Sequence, residues 1–455
     1  MTNYTPLDQY LKRHPETQYL DAILCDLSCV IRGKRYPIDL ADKIFTDGMM
    51  LPGSSVLLAV TGDSHDPEGL GFSDGDPDEV AIPIDGTLVP AAWARYPTAQ
   101  VMLTLQSLNA KPYYFEPRNV LARVIERFGE LGLRPVVAFE LEFYLLDPAH
   151  DNGECIQPPL APLSGQRSDA TQVYGINEVE DFSHYLHEVN DACAWQGIAI
   201  GAISAEYAPG QFEINLRHSD QPLEAADQCV MFRRAVQCVA RKHRLQGTFM
   251  AKPYVARSGS GLHLHISLLN DDGENVFDGG GQEDTYGTPA SPQLRHAIGG
   301  LRQTLAESMA IFAPNVNSYR RFVANSYVPV SPSWGYENRS VAIRIPKSSG
   351  SARRIEHRVA GADANPYLTL AALLAGIHHG LSNHIDAGQP TSGNAGQQLH
   401  PGMPFDAQSA FEKCRHSKIL PGYFGQQYLN AYSSCKLKEY QAFIESGHSE
   451  TSWYL

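Results

Sequence analysis

The chain has 455 residues, more than a single hydrophobic core accommodates, so at least two domains are expected. Its 43% hydrophobic and 19% charged residues describe a compact protein rather than a disordered one. A formal net charge of −14 without any basic stripe argues against nucleic-acid binding, and the longest apolar run, near Leu368 to Ile377, is too short to span a bilayer.

The opening stretch MTNYTPLDQYLKRHPETQYL lacks an apolar signal core, so a cytoplasmic location is expected. YLDAILCDLSCVIRGKRYPI reads as two strands joined near Arg32-Gly33-Lys34. Asp63 to Glu79 holds seven acids and no Lys or Arg among Gly, Pro and Ser, which predicts a long loop. The plain reading is a solvated acidic loop; the sharper one is a lip that attracts cations. FEPRNVLARVIERFGELGL, Phe115 to Leu133, then shows helical periodicity closed by Gly132. This change of texture places a domain boundary near residue 110, dividing 1–110 from 111–455. Eight cysteines lie scattered without a CxxC or Cys/His cluster, so reduced thiols are expected and thiolate zinc or haem sites are not.

FELEFYLL, Phe139 to Leu146, predicts a buried strand, and its period of two puts Glu140 and Glu142 on one face. Two neighbouring carboxylates in a dry place repel, and a divalent cation between them is the simplest remedy. In SAEYAPGQFEINL, Glu206 and Glu213 flank the turn signal Ala208-Pro209-Gly210 and can converge across a bend. A long helix from Glu224 to Leu245 follows, and GLHLHISL then places His263 and His265 on one strand face. Arg321, Arg339 and Arg344 precede ARRIEHR, whose strand alternation aligns Arg354, Glu356 and Arg358; another helix is expected from Pro366 to Asn383. The coarse class is α+β, with mostly antiparallel strands forming the chemical surface.

Taken singly, each pattern has a plainer explanation: salt-bridged edge acids, a satisfied core histidine, a surface ion-pair ladder. Together, five carboxylates and a histidine on apolar strands resist that explanation, because buried charge is costly unless paired or liganded. Hard oxygen ligands with one imidazole suit Mg²⁺ or Mn²⁺, and six protein ligands exceed the needs of one ion. These five arginines, spread over 38 residues and beside such ions, suit phosphoryl transfer, which rests on charge stabilisation and positioning. No GxxxxGK[ST] or kinase-type Gly-rich loop is present, so another scaffold must hold ATP.

The ordered motifs FELEF, EYAPGQFE, SGSGLHLHIS, NSYRR, ENRSVAIRIP and ARRIEHR resemble the glutamine synthetase superfamily over essentially the whole chain. The resemblance implies a small N-terminal β-grasp domain and a large C-terminal catalytic domain. It also implies a homo-oligomer, a dodecamer of two hexameric rings, with each site completed by a neighbour's N-terminal domain. ATP, L-glutamate, an amine and two or three Mg²⁺ (or Mn²⁺) ions are the implied ligands. By matching motif, Glu142, Glu206 and Glu213 resemble the ligands of one ion, and Glu140, His263 and Glu356 those of another. Arg321 and Arg358 match residues that hold glutamate, with Gly259 in the loop touching it. Arg339, Arg344 and Arg354 match those around the transferring phosphate and ADP, and His265 and Ser267 match nucleotide contacts.

Two departures concern the acceptor. Ammonia-using members carry an aspartate before the Gly-Ser-Ser of the N-terminal loop and a glutamate six residues after the arginine of the NSY-R motif. Pro52 and Tyr327 stand in those places here, and neither supplies a negative charge. The resemblance therefore points to γ-glutamylpolyamine (γ-glutamylputrescine) synthetases, and the acidic stretch favours a polyamine over a neutral amine. Tyr174 matches a tyrosine lining the ammonium pocket, and Ser258 replaces the usual Asn before Gly259. The tyrosine-bearing adenylylation loop of some bacterial glutamine synthetases is not apparent in AGQPTSGNAGQQLHPG, so regulation by that route is not expected. The alternatives are a true glutamine synthetase with replacement acids, or a non-catalytic ligand sensor.

Overall fold

Alternating apolar side chains build two sheets in the computed structural model, which describes residues 6–148, 156–170, 172–281 and 290–454. The first sheet comprises β1 (Tyr19–Cys25), β2 (Ile31–Pro37), β3 (Met49–Pro52), β4 (Asp78–Pro83), β5 (Val89–Pro90) and β6 (Thr98–Gln106). Its order is β2-β1-β6-β4-β3, with β5 also on β6; only β1 and β6 run parallel.

Two expectations need correction here. The joint between β1 and β2 falls at residues 26–30, where Asp26 Oδ1 accepts from Ser28 N at 2.9 Å and Val30 N at 2.8 Å. Gly33 lies inside β2 opposite Ile23, and a Cβ there would approach Ala22 O to 2.0 Å. Glycine at this position serves close strand approach, not chain reversal. The acidic stretch is a loop with short turns at Pro67–Gly69 and Phe72–Asp74, but Asp78 and Glu79 already pair in β4. Some of its charge is engaged internally: Asp76 accepts from Ser54 Oγ at 2.9 Å, and Glu68 meets Arg415 at 3.1 Å.

The predicted helix runs Pro117–Gly129, shorter than expected because the next strand begins at Leu133. Just before it, the buried Glu116 carboxylate accepts from Thr104 Oγ1 at 2.7 Å and Leu105 N at 3.0 Å, fastening the helix to β6.

The second sheet comprises β7 (Leu133–Leu146), β8 (Ile200–Ala205), β9 (Gln211–Leu216), β10 (Gln246–Thr248), β11 (Leu262–Asn270), β12 (Trp334–Tyr336), β13 (Ile343–Ile345) and β14 (Ile355–His357). Its order is β12-β13-β14-β11-β7-β9-β8, with β10 also on β7. Every pair but β12–β13 is antiparallel. Helices Pro117–Gly129 and Pro222–Lys242 pack on β7, and Pro366–Ser382 packs on both. Val137, Phe139, Leu141 and Phe143 are buried, and Phe143 meets Phe249, which meets Phe232 on the Pro222–Lys242 helix. Strand alternation then turns Glu140 and Glu142 to the opposite face. The long helices end within a few residues of their expected limits. Mixed sheets backed by helices bear out the α+β class. Among the described residues no cysteine is disulfide-bonded and no helix is long and apolar enough to cross a membrane.

Candidate active site

Strand register assembles the carboxylates. Glu140 on β7 stands opposite His263 on β11 and Asn215 on β9, while Glu142 stands opposite Glu213 on β9. Glu140 Oε1 lies 2.8 Å from His263 Nδ1, and Oε2 lies 3.2 Å from His265 Nε2 and 3.1 Å from Asn215 Nδ2. Glu142 Oε2 accepts from Gly261 N at 2.9 Å and Gln211 Nε2 at 3.3 Å. Glu206 sits buried in the β8–β9 turn, as its sequence position predicted. Ligand atoms of Glu140, Glu213 and His263 all lie within 4.8 Å of one another. This trio takes members from both ligand sets read in the sequence, so the two sets interlock rather than stand apart.

The electrostatics are those of a crowded cluster. Burial and the charges of Glu142 and Glu140 push the Glu206 carboxyl up to about 8. Burial and the neighbouring Glu140, Glu142 and Glu206 raise Glu213 as well. Glu140 goes the other way: burial opposes its charge, but hydrogen bonds from His263 and His265 hold it well below the usual carboxylate range. One cluster thus contains carboxyls driven in opposite directions, a pattern that a divalent cation would reconcile.

On the other side of β11, β14 places Glu356 opposite His265, and β13 places Arg344 opposite Glu356. Glu356 is fully buried and shared between Arg344 Nη1, at 2.5 Å, and Arg358 Nη1. Arg354 Nε reaches His265 Nδ1 at 3.3 Å, and Ser267 follows His265 on the same face of β11. Arg321, also buried, donates to Val359 O at 3.0 Å. A Cβ on Gly259 would meet Arg321 Cγ at 2.7 Å, so only glycine lets this loop lie against the guanidinium stem. Tyr144 fixes the same loop by donating to Ser258 O at 2.6 Å. Buried Nε atoms of Arg321, Arg344 and Arg358 have no partner, as donors awaiting anionic groups would.

At the rim, Arg339 lies beside Tyr174, and Tyr327 lies against Tyr207 with ring centroids 5.5 Å apart. Arg339 and Tyr327 line a cavity of about 840 Å³ together with Tyr336, Glu337 and Asn338. The Glu337 carboxylate in that cavity is already taken, by Arg344 Nη2 at 3.4 Å and by Lys347 N. Pro52 is not brought to this cluster within the chain. It lies on edge strand β3 of the first sheet, opposite Asp78.

Sequence reading missed Gln211 and Asn215, which share a face of β9 with Glu213; the period of two that found Glu213 marks them as well. It also missed Tyr207, which had no signal beyond adjacency to Glu206.

The donor set of carboxylates and one imidazole fits Mg²⁺ or Mn²⁺, and the orphaned guanidinium nitrogens fit phosphate and carboxylate groups. Residues 115–454 match the family described as glutamine synthetase, catalytic domain. The chain is 42% identical to gamma-glutamylputrescine synthetase PuuA of Escherichia coli (strain K12), over 98% of this chain and 93% of that protein. It is 32% identical to a glutamate–isopropylamine ligase of a Pseudomonas species, over 96% and 94% respectively. Among solved structures, ligand-free GmaS superposes with a TM-score of 0.81 at 25% identity, covering 99% of this chain and 98% of that one.

Proposed function

The chain belongs to the glutamine synthetase family, and from that premise we propose its reaction in detail. It is an ATP-dependent ligase that joins an amine to the γ-carboxylate of L-glutamate. The γ-carboxylate oxygen attacks the γ-phosphorus of ATP, releasing ADP and giving γ-glutamyl phosphate. The amine nitrogen then attacks the acyl carbon, a proton leaves the nitrogen, and inorganic phosphate departs. Enzymes of this family use ATP and divalent metals generally.

In this reading Glu142, Glu206 and Glu213 would hold one Mg²⁺ or Mn²⁺, and Glu140, His263 and Glu356 a second, within the two or three ions that the resemblance implies. When bound, such ions offset charge on the phosphate oxygens. Arg321, Arg358 and Gly259 bind glutamate. Arg339 and Arg344 stabilise the transferring phosphoryl group, and Arg354, His265 and Ser267 contact the nucleotide. Tyr174, Tyr327 and a neighbouring subunit's Pro52 surround the acceptor. That last role goes with the ring assembly the resemblance implies, a dodecamer of two hexamers; within its own chain Pro52 lies on a different sheet from the carboxylates. Division into residues 1–110 and 111–455 and a cytoplasmic setting complete the proposal.

One observation carries the choice of acceptor. The carboxylate–imidazole cluster and its arginines are assembled, yet the rim position of an ammonium-binding acid holds Tyr327, packed on Tyr207. Without that charge the pocket is no ammonium trap, and a larger amine fits, putrescine or a related polyamine by likeness to the first relative named above. The test is phosphate release from ATP and L-glutamate with ammonium, putrescine, spermidine and small monoamines. A polyamine should be the best acceptor. Ammonium as best acceptor overturns the assignment, and turnover with no amine favours a sensor.

A further inference from the structure

Three tyrosines gather at the rim of the catalytic sheet and leave their rings in solvent: Tyr174 is 61% exposed, Tyr207 37% and Tyr327 60%. They arrive from separate parts of the chain, yet the rings of Tyr207 and Tyr327 meet with centroids 5.5 Å apart and planes inclined by 38°. The Tyr174 side chain lies near that of Tyr207. Tyr174 also holds a left-handed backbone at φ +59, its N–H donating to Ala205 O at 2.9 Å. Non-glycine residues keep such a conformation where the surroundings demand it, commonly beside a ligand. Tyr207 follows Glu206 directly, so this aromatic rim begins one residue from the reacting centre. Exposed aromatic side chains clustered in this way mark a binding surface.

Resting on the ligase reading above, we infer that Tyr207, with Tyr174 and Tyr327, grips the second, non-reacting cationic end of an α,ω-diamine acceptor. Tyrosine faces attract an alkylammonium ion within about 6 Å of the ring centroid, and the rings cover the methylenes between its two nitrogens. With centroids 5.5 Å apart, one cation at the lip lies within range of both Tyr207 and Tyr327. The Arg339 guanidinium lies beside Tyr174, at one side of the rim. A monoamine of the same length gains the apolar contacts but not the cation–π attraction. Selectivity between the two is therefore the property these rings control.

The test compares putrescine with n-butylamine, which has the same chain but no second charge, in steady-state kinetics of the native enzyme, Tyr207→Phe and Tyr207→Ala. The native enzyme and Tyr207→Phe should both prefer putrescine. Tyr207→Ala should lose about fivefold more in kcat/KM for putrescine than for butylamine, mainly through KM, with ATP and glutamate little changed. Equal losses for both amines, no loss for either, or a Phe variant as poor as the Ala variant overturns the inference. If Tyr207→Ala fails to fold, Tyr207→Leu, which keeps an apolar side chain without a π face, serves the same comparison with the same expected split. Absence of turnover with any amine in the native enzyme defeats the ligase reading itself. Turnover with an unaltered putrescine-to-butylamine ratio in the Tyr207 variant that lacks the ring defeats only the aromatic rim.

Discussion

His263 stands directly opposite Glu140 across the antiparallel β7–β11 ladder, with Nδ1 2.8 Å from the carboxylate. On the other side of β7, Glu142 faces Glu213 in the same register arithmetic. Strand pairing, not loop conformation, fixes four of the candidate ligands relative to one another. A one-residue slip would send all of them into the core. The cluster is thus as rigid as the sheet, which suits chemistry that depends on preset charge positions.

Because Glu213 is raised by burial and like charge, replacing it with a neutral isostere costs the metal-free protein little. Glu213→Gln should leave the metal-free melting temperature unchanged or slightly higher. Saturating Mg²⁺ or Mn²⁺ should stabilise the native protein by about 2.7 kcal/mol at a hundredfold excess over Kd. The variant should lose most of that increment. Thermal melts with and without metal after chelation check this; an undiminished increment would remove Glu213 from the metal site.

The Glu356 carboxylate lies between the guanidiniums of Arg344 and Arg358, and Arg344 has Glu337 as a second, longer partner. Truncating it leaves the buried Arg358 without its carboxylate, a loss of roughly 3–5 kcal/mol for a broken buried pair, while Arg344 keeps Glu337. Glu356→Ala should therefore melt earlier and lose ATP turnover together. Glu356→Gln keeps the shape and an acceptor oxygen, so it should recover much of the stability but little activity. Denaturant unfolding and phosphate release separate the two effects. Full activity in either variant would exclude Glu356 from the phosphate side.

Much of the site was legible because β strands impose a period of two. Glu140 with Glu142, and His263 with His265, could be placed on common faces from spacing alone, and the structure keeps them there. The hairpin joint was misplaced because Gly33 looks like a turn residue, whereas the actual turn is organised by a side chain, Asp26, whose hydrogen bonds leave no compositional mark. Tyr207 was invisible for a different reason. Its partner Tyr327 lies 120 residues further along the chain, and a contact over that distance has no periodicity. Nor could spacing reveal that the trio nearest to a metal site joins Glu213 to Glu140 and His263, since that depends on which strands are neighbours.

A pH effect should arise away from the chemistry. Burial pushes the Glu116 carboxyl up to about 7 from an ordinary value near 4.5. The folded state therefore binds its proton more tightly than the unfolded chain does. This contribution to stability is fully present below pH 4.5 and is lost as pH rises through about 7. The loss amounts to a few kcal/mol, at about 1.4 kcal/mol per pKa unit. Glu116→Gln retains an acceptor for Thr104 and Leu105 and does not titrate, so its stability relative to the native protein should climb between pH 5 and pH 8. Denaturation curves at several pH values measure the difference. A constant gap across that range would show that Glu116 is not the titrating group.

Restoring negative charge at the rim should move acceptor preference toward ammonium. Tyr327 is exposed and its ring rests on Tyr207, so Tyr327→Glu introduces a carboxylate at little cost to the core. A charge-assisted hydrogen bond to a cationic nitrogen contributes roughly 1.5–3 kcal/mol, so the ammonium-to-putrescine ratio of kcat/KM should rise at least about tenfold. The KM values for ATP and glutamate should hold, since the buried arginines are untouched. Competition between ammonium and putrescine, with products separated by chromatography, reads the ratio directly. If the ratio stays flat in Tyr327→Glu yet rises in Pro52→Asp, the acceptor is governed from the first sheet and the tyrosine side contributes nothing to the choice of nucleophile.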